Sequence, residues 1–253
     1  MTETKLLNPM EKPTRSGKTG VAIIAAAGSS LRMGSEDKLF LPLGKKEVLC
    51  HTLLAYQKAS SIQGILVVTK KESVERVKAI VEREKITKCI LILPGGDTRQ
   101  ESVRLALDEI GIHKLESKVQ YIAIADGDRP LTTPEMIDKV MLQAYLHGAA
   151  SAACPAVDTI KIADGDGFIQ NTPERSMVWQ AQTPQAAKLA FCQAGAYSAE
   201  VDDFKATDDN SLLERINIPV KLVDCGSRNI KITNPGDLEI AEAILALREE
   251  SEK

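Results

Sequence analysis

The residues best suited to chemistry in this chain begin with a turn. Ala25-Ala26-Ala27-Gly28-Ser29-Ser30 closes an apolar run, and Arg32 and Lys38 follow closely. Small side chains let backbone N–H groups approach an anion, and the positive end of a following helix adds attraction. The two bases bring formal charge to the same place. The pattern is neither a Walker loop nor a dinucleotide fingerprint, because five residues separate Gly28 from Gly34 and no lysine follows Gly34. Taken alone, it also describes an ordinary strand–helix turn with two solvated bases. Gly17-Lys18-Thr19 looks like the end of a phosphate-binding loop, but Lys12 stands where the first glycine belongs and no strand precedes it.

Three further places carry chemistry. In "PGGDTRQESV", Gly95 and Gly96 bare the backbone, Asp97 is placed to cap a helix and Ser102 lies one turn inside it, which suits either a helix cap or a binding edge. In "ADGDRP", Asp126 stands where an apolar run stops, a place for a carboxylate that holds a metal ion or a ribose hydroxyl, or one that pairs with Arg129. Lys231 lies between Ile230 and Ile232, so strand alternation points it away from two apolar neighbours, as an exposed edge lysine would be. "WQAQTPQ" (179–185) and "NIKITNPGDL" (229–238) have no chemistry that can be read from them alone.

The elements that must position these residues follow a regular rhythm. Apolar runs at 21–27, 64–69, 89–96 and 119–130 read as strands, and amphipathic stretches at 47–60, 73–85, 98–110 and 133–148 read as helices, the last ended by Gly148. Such alternation predicts an α/β fold: a Rossmann-like, mostly parallel sheet with helices on both faces. Ligands in such sheets bind beyond the carboxyl ends of the strands, where the residues above fall. Between 149 and 183 the rhythm breaks, and "TIKIA" and "SMVWQ" around "DGDG" predict a projecting β-hairpin arm at about 155–180. Helices at 186–199, 211–216 and 235–250 and a strand at 219–225 complete the chain. Residues 1–20 read as a flexible tail and 21–253 as a single domain.

Composition narrows the class. The 253 residues are 43% hydrophobic and 26% charged with a net charge of -3, which is ordinary for a globular protein and gives no basic footprint for nucleic acid. Aromatic residues are 4% of the chain and none interleaves with bases as a stacking platform requires. The five cysteines lack CxxC spacing and the three histidines are far apart, which argues against a zinc site or a disulfide framework. No apolar stretch is long enough to span a membrane and the N-terminus lacks a secretory apolar core, so a cytoplasmic protein is expected.

The pattern as a whole resembles the nucleotidyltransferases that join a sugar or alditol phosphate to a nucleotide, and most closely the 2-C-methyl-D-erythritol 4-phosphate cytidylyltransferases of non-mevalonate isoprenoid synthesis. The likeness rests on "AAAGSSLRMG" with Lys38, "GGDTRQESV", the acidic strand end before Arg129-Pro130, "DTIK" (158–161), "WQAQTPQ", "TDD" (207–209) and "NIKIT" (229–233), in that order. It implies a nucleotide-diphospho-sugar transferase-like fold. It also implies that Ala26, Ala27, Gly28 and Ser29 wrap CTP, that Arg32, Lys38 and Lys231 are catalytic, and that Gly96, Asp97 and Ser102 read the cytosine. Asp126 would serve the ribose and a magnesium ion. Thr183 and Thr207 would complete the acceptor pocket, while Thr159, Lys161 and Arg175 would reach from the arm into a neighbouring subunit's site in a homodimer.

The chemistry is self-consistent. An acceptor phosphate attacks the α-phosphorus of CTP and pyrophosphate leaves in line. A phosphate monoester has its second pKa at about 6, so at neutral pH it is already the nucleophile and needs no general base. The chain departs from the family at Asp37-Lys38-Leu39, where Pro-Lys-Gln is usual, and at Ala125, Gly127 and Asp128 within the usual His-Asp-Ala-Ala-Arg-Pro. Asp37 is expected either to weaken anion binding beside Lys38 or to face solvent. Asp128 is expected to pair with a neighbouring base rather than to give the metal a second carboxylate. Ribitol-5-phosphate cytidylyltransferase, and a CTP-binding homologue without activity, are the alternatives.

Overall fold

A computed structural model describes residues 6–12, 17–28 and 37–251. In chain order its elements are β1 (Gly20–Ala26), β2 (Pro42–Leu43), β3 (Lys46–Glu47), α1 (Val48–Lys58), β4 (Ile62–Thr69), α2 (Val74–Arg83), β5 (Cys89–Pro94), α3 (Arg99–Ile112), β6 (Tyr121–Asp126) and α4 (Pro134–His147). There follow β7 (Ala149–Pro155), β8 (Ile162–Ala163), β9 (Ile169–Asn171), β10 (Trp179–Lys188), α5 (Leu189–Val201), α6 (Asp209–Arg215), β11 (Lys221–Asp224) and α7 (Pro235–Ser251). The main sheet runs β11-β7-β10-β6-β1-β4-β5. Every neighbouring pair is parallel except those of β10, which is antiparallel to both β6 and β7.

Alternation along β1 explains the layers. Ala22 and Ile24 face one core with Leu53 and Tyr56 of α1, Ile80 of α2 and Met141 of α4. Val21 and Ile23 face the other, with Val103 and Leu107 of α3 and Leu189 and Cys192 of α5. A strand buried on both sides must be apolar throughout, and that makes such strands legible. A smaller cluster holds α7 through Ala241 and Leu238 against Leu43, Val48, Leu131 and Ile232, which fixes the segment before α7 near the ends of β1 and β6. Among the described residues no helix is long and apolar enough to cross a membrane.

Several expectations need correction. The "SMVWQ" stretch does not pair with "TIKIA". Instead β8 pairs with β9 in a small hairpin around "DGDG", and Trp179 begins a long strand that joins the main sheet beside β7. Residues 149–155 are therefore a sheet strand, and the helix expected from 186 begins at Leu189. The expected flexible tail is in part docked: Leu7 N–H donates to the Ile90 carbonyl at 2.9 Å and Glu11 N–H to the Gln63 carbonyl at 3.0 Å. Residues 229–233 form no strand, so alternation does not govern Lys231. Asp97 is not the helix cap; Thr98 is, accepting from Glu101 N–H, while the Glu101 carboxylate returns to Asp97 N–H at 2.8 Å.

One buried side chain links the antiparallel strand to the loop after α5. Gln185 of β10 accepts from both Asp209 N–H at 2.9 Å and Asn210 N–H at 3.1 Å, and donates to Asp208 at 2.9 Å. It thereby satisfies donors that the start of α6 would otherwise leave orphaned and sets Thr207 and Asp208 beside β10.

Candidate active site

The site grows from the carboxyl end of β6. Asp126, only 7% exposed, receives Arg99 Nε at 2.9 Å on one oxygen and Lys231 Nζ at 3.1 Å on the other, with Arg129 Nε at 3.5 Å. Its backbone N–H donates to the Thr183 hydroxyl at 3.1 Å. Burial alone would raise the Asp126 pKa, but the charges of Arg99, Lys231 and Arg129 outweigh it and hold the carboxyl well below the usual range. Arg99, the first residue of α3, also reaches Asp209 at 2.7 Å. Burial pushes the Asp209 carboxyl upward, with Arg99 opposing.

Lys231 is placed by its neighbours. Asn229 is fully buried and donates to Gln182 at 3.1 Å and to the Thr183 carbonyl at 2.9 Å, while accepting from Thr132 at 2.8 Å. Arg129 donates to the Asn229 carbonyl at 2.7 Å. Ile232, also fully buried, donates its N–H to the Asp128 carbonyl at 2.9 Å. The lysine between these two anchors extends its ammonium to Asp126.

Lys38 arrives from the opposite side. Its ammonium donates to the Ile232 carbonyl at 2.8 Å and pairs with Asp128 at 2.5 Å. The expected pairing of Asp128 with a base is thus found. Asp37 is largely turned from solvent: it caps the short turn Lys38–Phe40 by accepting from Leu39 N–H and pairs with Lys70 at 2.9 Å.

Two cavities meet at this cluster. One, of about 260 Å³, is lined by Ala25, Ala26, Ala27, Gly28, Lys38, Leu39, Arg99, Ser102, Asp126, Asp128 and Lys231. The other, of about 300 Å³, is lined by Arg129, Gln182, Thr183, Gln185, Thr207 and Asp208 among others, and shares Arg99, Asp126 and Lys231 with the first. Gly96 and Asp97 do not line the first cavity themselves; Gly96 N–H donates at 3.2 Å to the Oγ of Ser102, which does. Gly95 allows this close approach, since a Cβ there would lie 2.5 Å from Ala27 Cβ and 2.6 Å from Ser102 Oγ. Thr159, Lys161 and Arg175 are exposed and line neither cavity; Lys161 donates to Thr172 at 2.9 Å and Arg175 to the Val157 carbonyl at 3.2 Å. Ser29 and Arg32 lie outside the described residues.

Arg99 was not picked out by the sequence reading, and Arg129 figured there only as a possible partner of Asp126. The signal for Arg99 was its place directly after a capping threonine, at a helix start facing the strand ends.

Known proteins place this geometry in a lineage. The family model described as 2-C-methyl-D-erythritol 4-phosphate cytidylyltransferase (IspD) matches residues 21–247. The chain belongs to this family. The relative from Parasynechococcus marenigrum is 42% identical over 229 residues, covering 90% of this chain and 98% of the relative. That from Microcystis aeruginosa is 40% identical over 227 residues, covering 89% and 98%. The crystal structure of 4-diphosphocytidyl-2C-methyl-D-erythritol synthase from Anaerococcus prevotii superposes with a TM-score of 0.79 at 31% identity, covering 91% of this chain and 97% of that one. The cytidylyltransferase from Thermus thermophilus gives 0.72 at 27% identity, covering 89% and 98%. The α/β fold read from the sequence is the fold of this cytidylyltransferase family.

The charge cluster makes a stability prediction. Asp126→Asn leaves the cations without their shared partner and, allowing for the partial exposure of Lys231 and Arg99, is expected to cost about 2–4 kcal/mol at neutral pH. Because the folded carboxyl titrates below its unfolded value, that advantage is complete above about pH 4 and is lost as pH falls further, by about 1.4 kcal/mol per pH unit. Urea unfolding of both proteins at pH 7 and pH 3 measures it. A gap that does not narrow in acid would contradict this view of Asp126.

Proposed function

We propose that this chain transfers CMP from CTP to 2-C-methyl-D-erythritol 4-phosphate and releases pyrophosphate, with the nucleotide in the cavity beside Gly28 and the acceptor in the cavity beside Thr183. One observation carries the reading: both cavities open on Lys231 and Asp126, so two anionic substrates placed in them would meet at one cluster of cations. What the reaction needs is relief of repulsion between the two phosphates and neutralisation of the leaving pyrophosphate. Lys38 and Lys231 supply fixed positive charge within the nucleotide cavity, joined in this reading by Arg32. Arg129, whose Nε is buried without a hydrogen-bond partner, suits the acceptor phosphate. Ala26, Ala27 and Gly28 give the nucleotide a wall with no side chain larger than a methyl group, and Ser102 with Gly96 and Asp97 gives the base a polar edge. Among the described residues no histidine lines either cavity, in keeping with an acceptor phosphate that is its own nucleophile.

The donor set fits magnesium. Asp126 and Asp128 both line the nucleotide cavity, and Asp128 Oδ1 is buried with no hydrogen-bond partner. Magnesium is commonly held by one or two carboxylates together with substrate phosphates. Among the described residues no group of three or more metal-ligating side chains converges, so the remaining ligands would be phosphate oxygens and water. When bound, the ion would neutralise charge on the triphosphate.

Assembly is part of the proposal. Val157, Phe168, Ile169 and Met177 of the arm are all exposed, a concentration of apolar surface that suits a homodimer in which Thr159, Lys161 and Arg175 complete the partner's acceptor site. A monomer in analytical sedimentation at assay concentration would contradict that arrangement.

The transfer itself is tested by pyrophosphate release with CTP and magnesium, offering 2-C-methyl-D-erythritol 4-phosphate and ribitol 5-phosphate in parallel. Release is expected with the first acceptor only; release with the second alone would overturn the acceptor assignment. Lys38→Ala is expected to lower kcat by at least about a hundredfold, the usual effect of losing one charge-stabilising contact in the transition state. Turnover near that of the unaltered protein would remove Lys38 from the mechanism.

A further inference from the structure

Asp128 is an acidic residue in a cavity read here as a polyphosphate site, where its charge opposes the ligand. The residue is 7% exposed, and its two carboxylate oxygens are treated differently. Oδ2 holds the Lys38 ammonium at 2.5 Å, whereas Oδ1 is buried with no hydrogen-bond partner, with Lys231 Nζ at 4.0 Å. Lys231 is already committed to Asp126 at 3.1 Å. The backbone around this pair is fixed independently of it. The Asp128 carbonyl accepts from Ile232 N–H, and the Ile232 carbonyl accepts from Lys38 Nζ. Lys38 therefore keeps a neutral anchor if its charged partner is exchanged.

We propose that Asp128 stands in for substrate phosphate at Lys38, and that when the triphosphate takes the ammonium the released carboxylate receives a divalent cation, so that nucleotide binding is coupled to cation uptake. The physical reason is the cost of leaving a buried carboxylate without a counter-charge. Lys38 meets that need at 2.5 Å. Once phosphate oxygens compete for the same ammonium, the Asp128 carboxylate is left with Lys231 alone, which stands 4.0 Å from Oδ1 and already serves Asp126 at 3.1 Å. A cation between the carboxylate and the phosphates satisfies both anions. The orphaned Oδ1 is the oxygen already prepared for it.

The inference rests on the reading that CTP occupies this cavity, and the experiment separates the two. Calorimetry of CTP binding is run with and without magnesium on the unaltered protein and on Asp128→Asn, which keeps the shape of the side chain and removes its charge. The expected result is that Asp128→Asn binds metal-free CTP about tenfold more tightly, because the competing anion is gone, and that the tightening given by magnesium shrinks by a similar factor. Metal-free affinity that is equal or weaker, with an unchanged magnesium effect, overturns the exchange and leaves Asp128 only a positioning residue for Lys38. Failure of the unaltered protein to bind CTP at all overturns the underlying reading and the exchange with it. Lys38→Met gives an independent readout that does not depend on the fold of the Asp128 variant. With the ammonium gone and no nucleotide present, Mn2+ binding followed by electron paramagnetic resonance is expected to strengthen several-fold; unchanged Mn2+ affinity overturns the proposal.

Discussion

A carboxylate at the buried end of a central strand stays ionised only if cations are brought to it, and Asp126 gathers Arg99, Lys231 and Arg129 from three separate parts of the chain. That requirement organises the site. Arg99 comes with the first turn of α3, Arg129 with the loop after β6, and Lys231 with the segment before α7. Each is far from the others in sequence, and the three converge on the shared anion. The same cations line the cavities on either side, so the interaction that neutralises Asp126 also leaves positive charge beside both.

Holding the cluster takes a second layer of contacts. Asn229 and Ile232 fasten the segment carrying Lys231 to β10 and to the loop after β6, and Ile232 also serves as the acceptor for Lys38. Gln185 does the equivalent for the start of α6, and Arg99 reaches the same turn through Asp209. The site is thus assembled from backbone positions locked by buried hydrogen bonds, with few freely rotating charges. Preorganisation of this kind lets fixed charges act on a transition state without reorganisation.

Much of this was open to sequence reasoning and some was closed to it, for identifiable reasons. Strands β1, β4, β5 and β6 are continuous apolar runs because both faces are covered, and the turn residues at their carboxyl ends stood out against them. Strands β7 and β10 did not. "AASAACP" and "WQAQTPQAAK" are rich in alanine and glutamine, lack β-branched residues apart from Thr183, and enter the sheet through packing that no local propensity reports. The glycine–serine turn after β1, Lys38, Ser102 and Asp126 were legible as types in suggestive places. Of their ion-pair partners Arg129 was offered and Asp128 was expected to meet some base, but Arg99 looks like any polar residue at a helix start and the partners of Asp37 and Asp128 had no local signal. Pairing of Asp37 with Lys70 and of Asp128 with Lys38 depends on which loops the sheet brings together.

The central claim is that one cluster serves both substrates, and Lys231 tests it most directly because its ammonium borders both cavities. The measurement is calorimetric: CTP binding with magnesium, and binding of 2-C-methyl-D-erythritol 4-phosphate in the presence of a non-transferable CTP analogue, to the unaltered protein and to Lys231→Ala. Loss of one charge-assisted contact predicts that both affinities fall by about tenfold or more. If only one falls, the cavities do not share the cation, and the account of a single meeting point for the two phosphates is wrong.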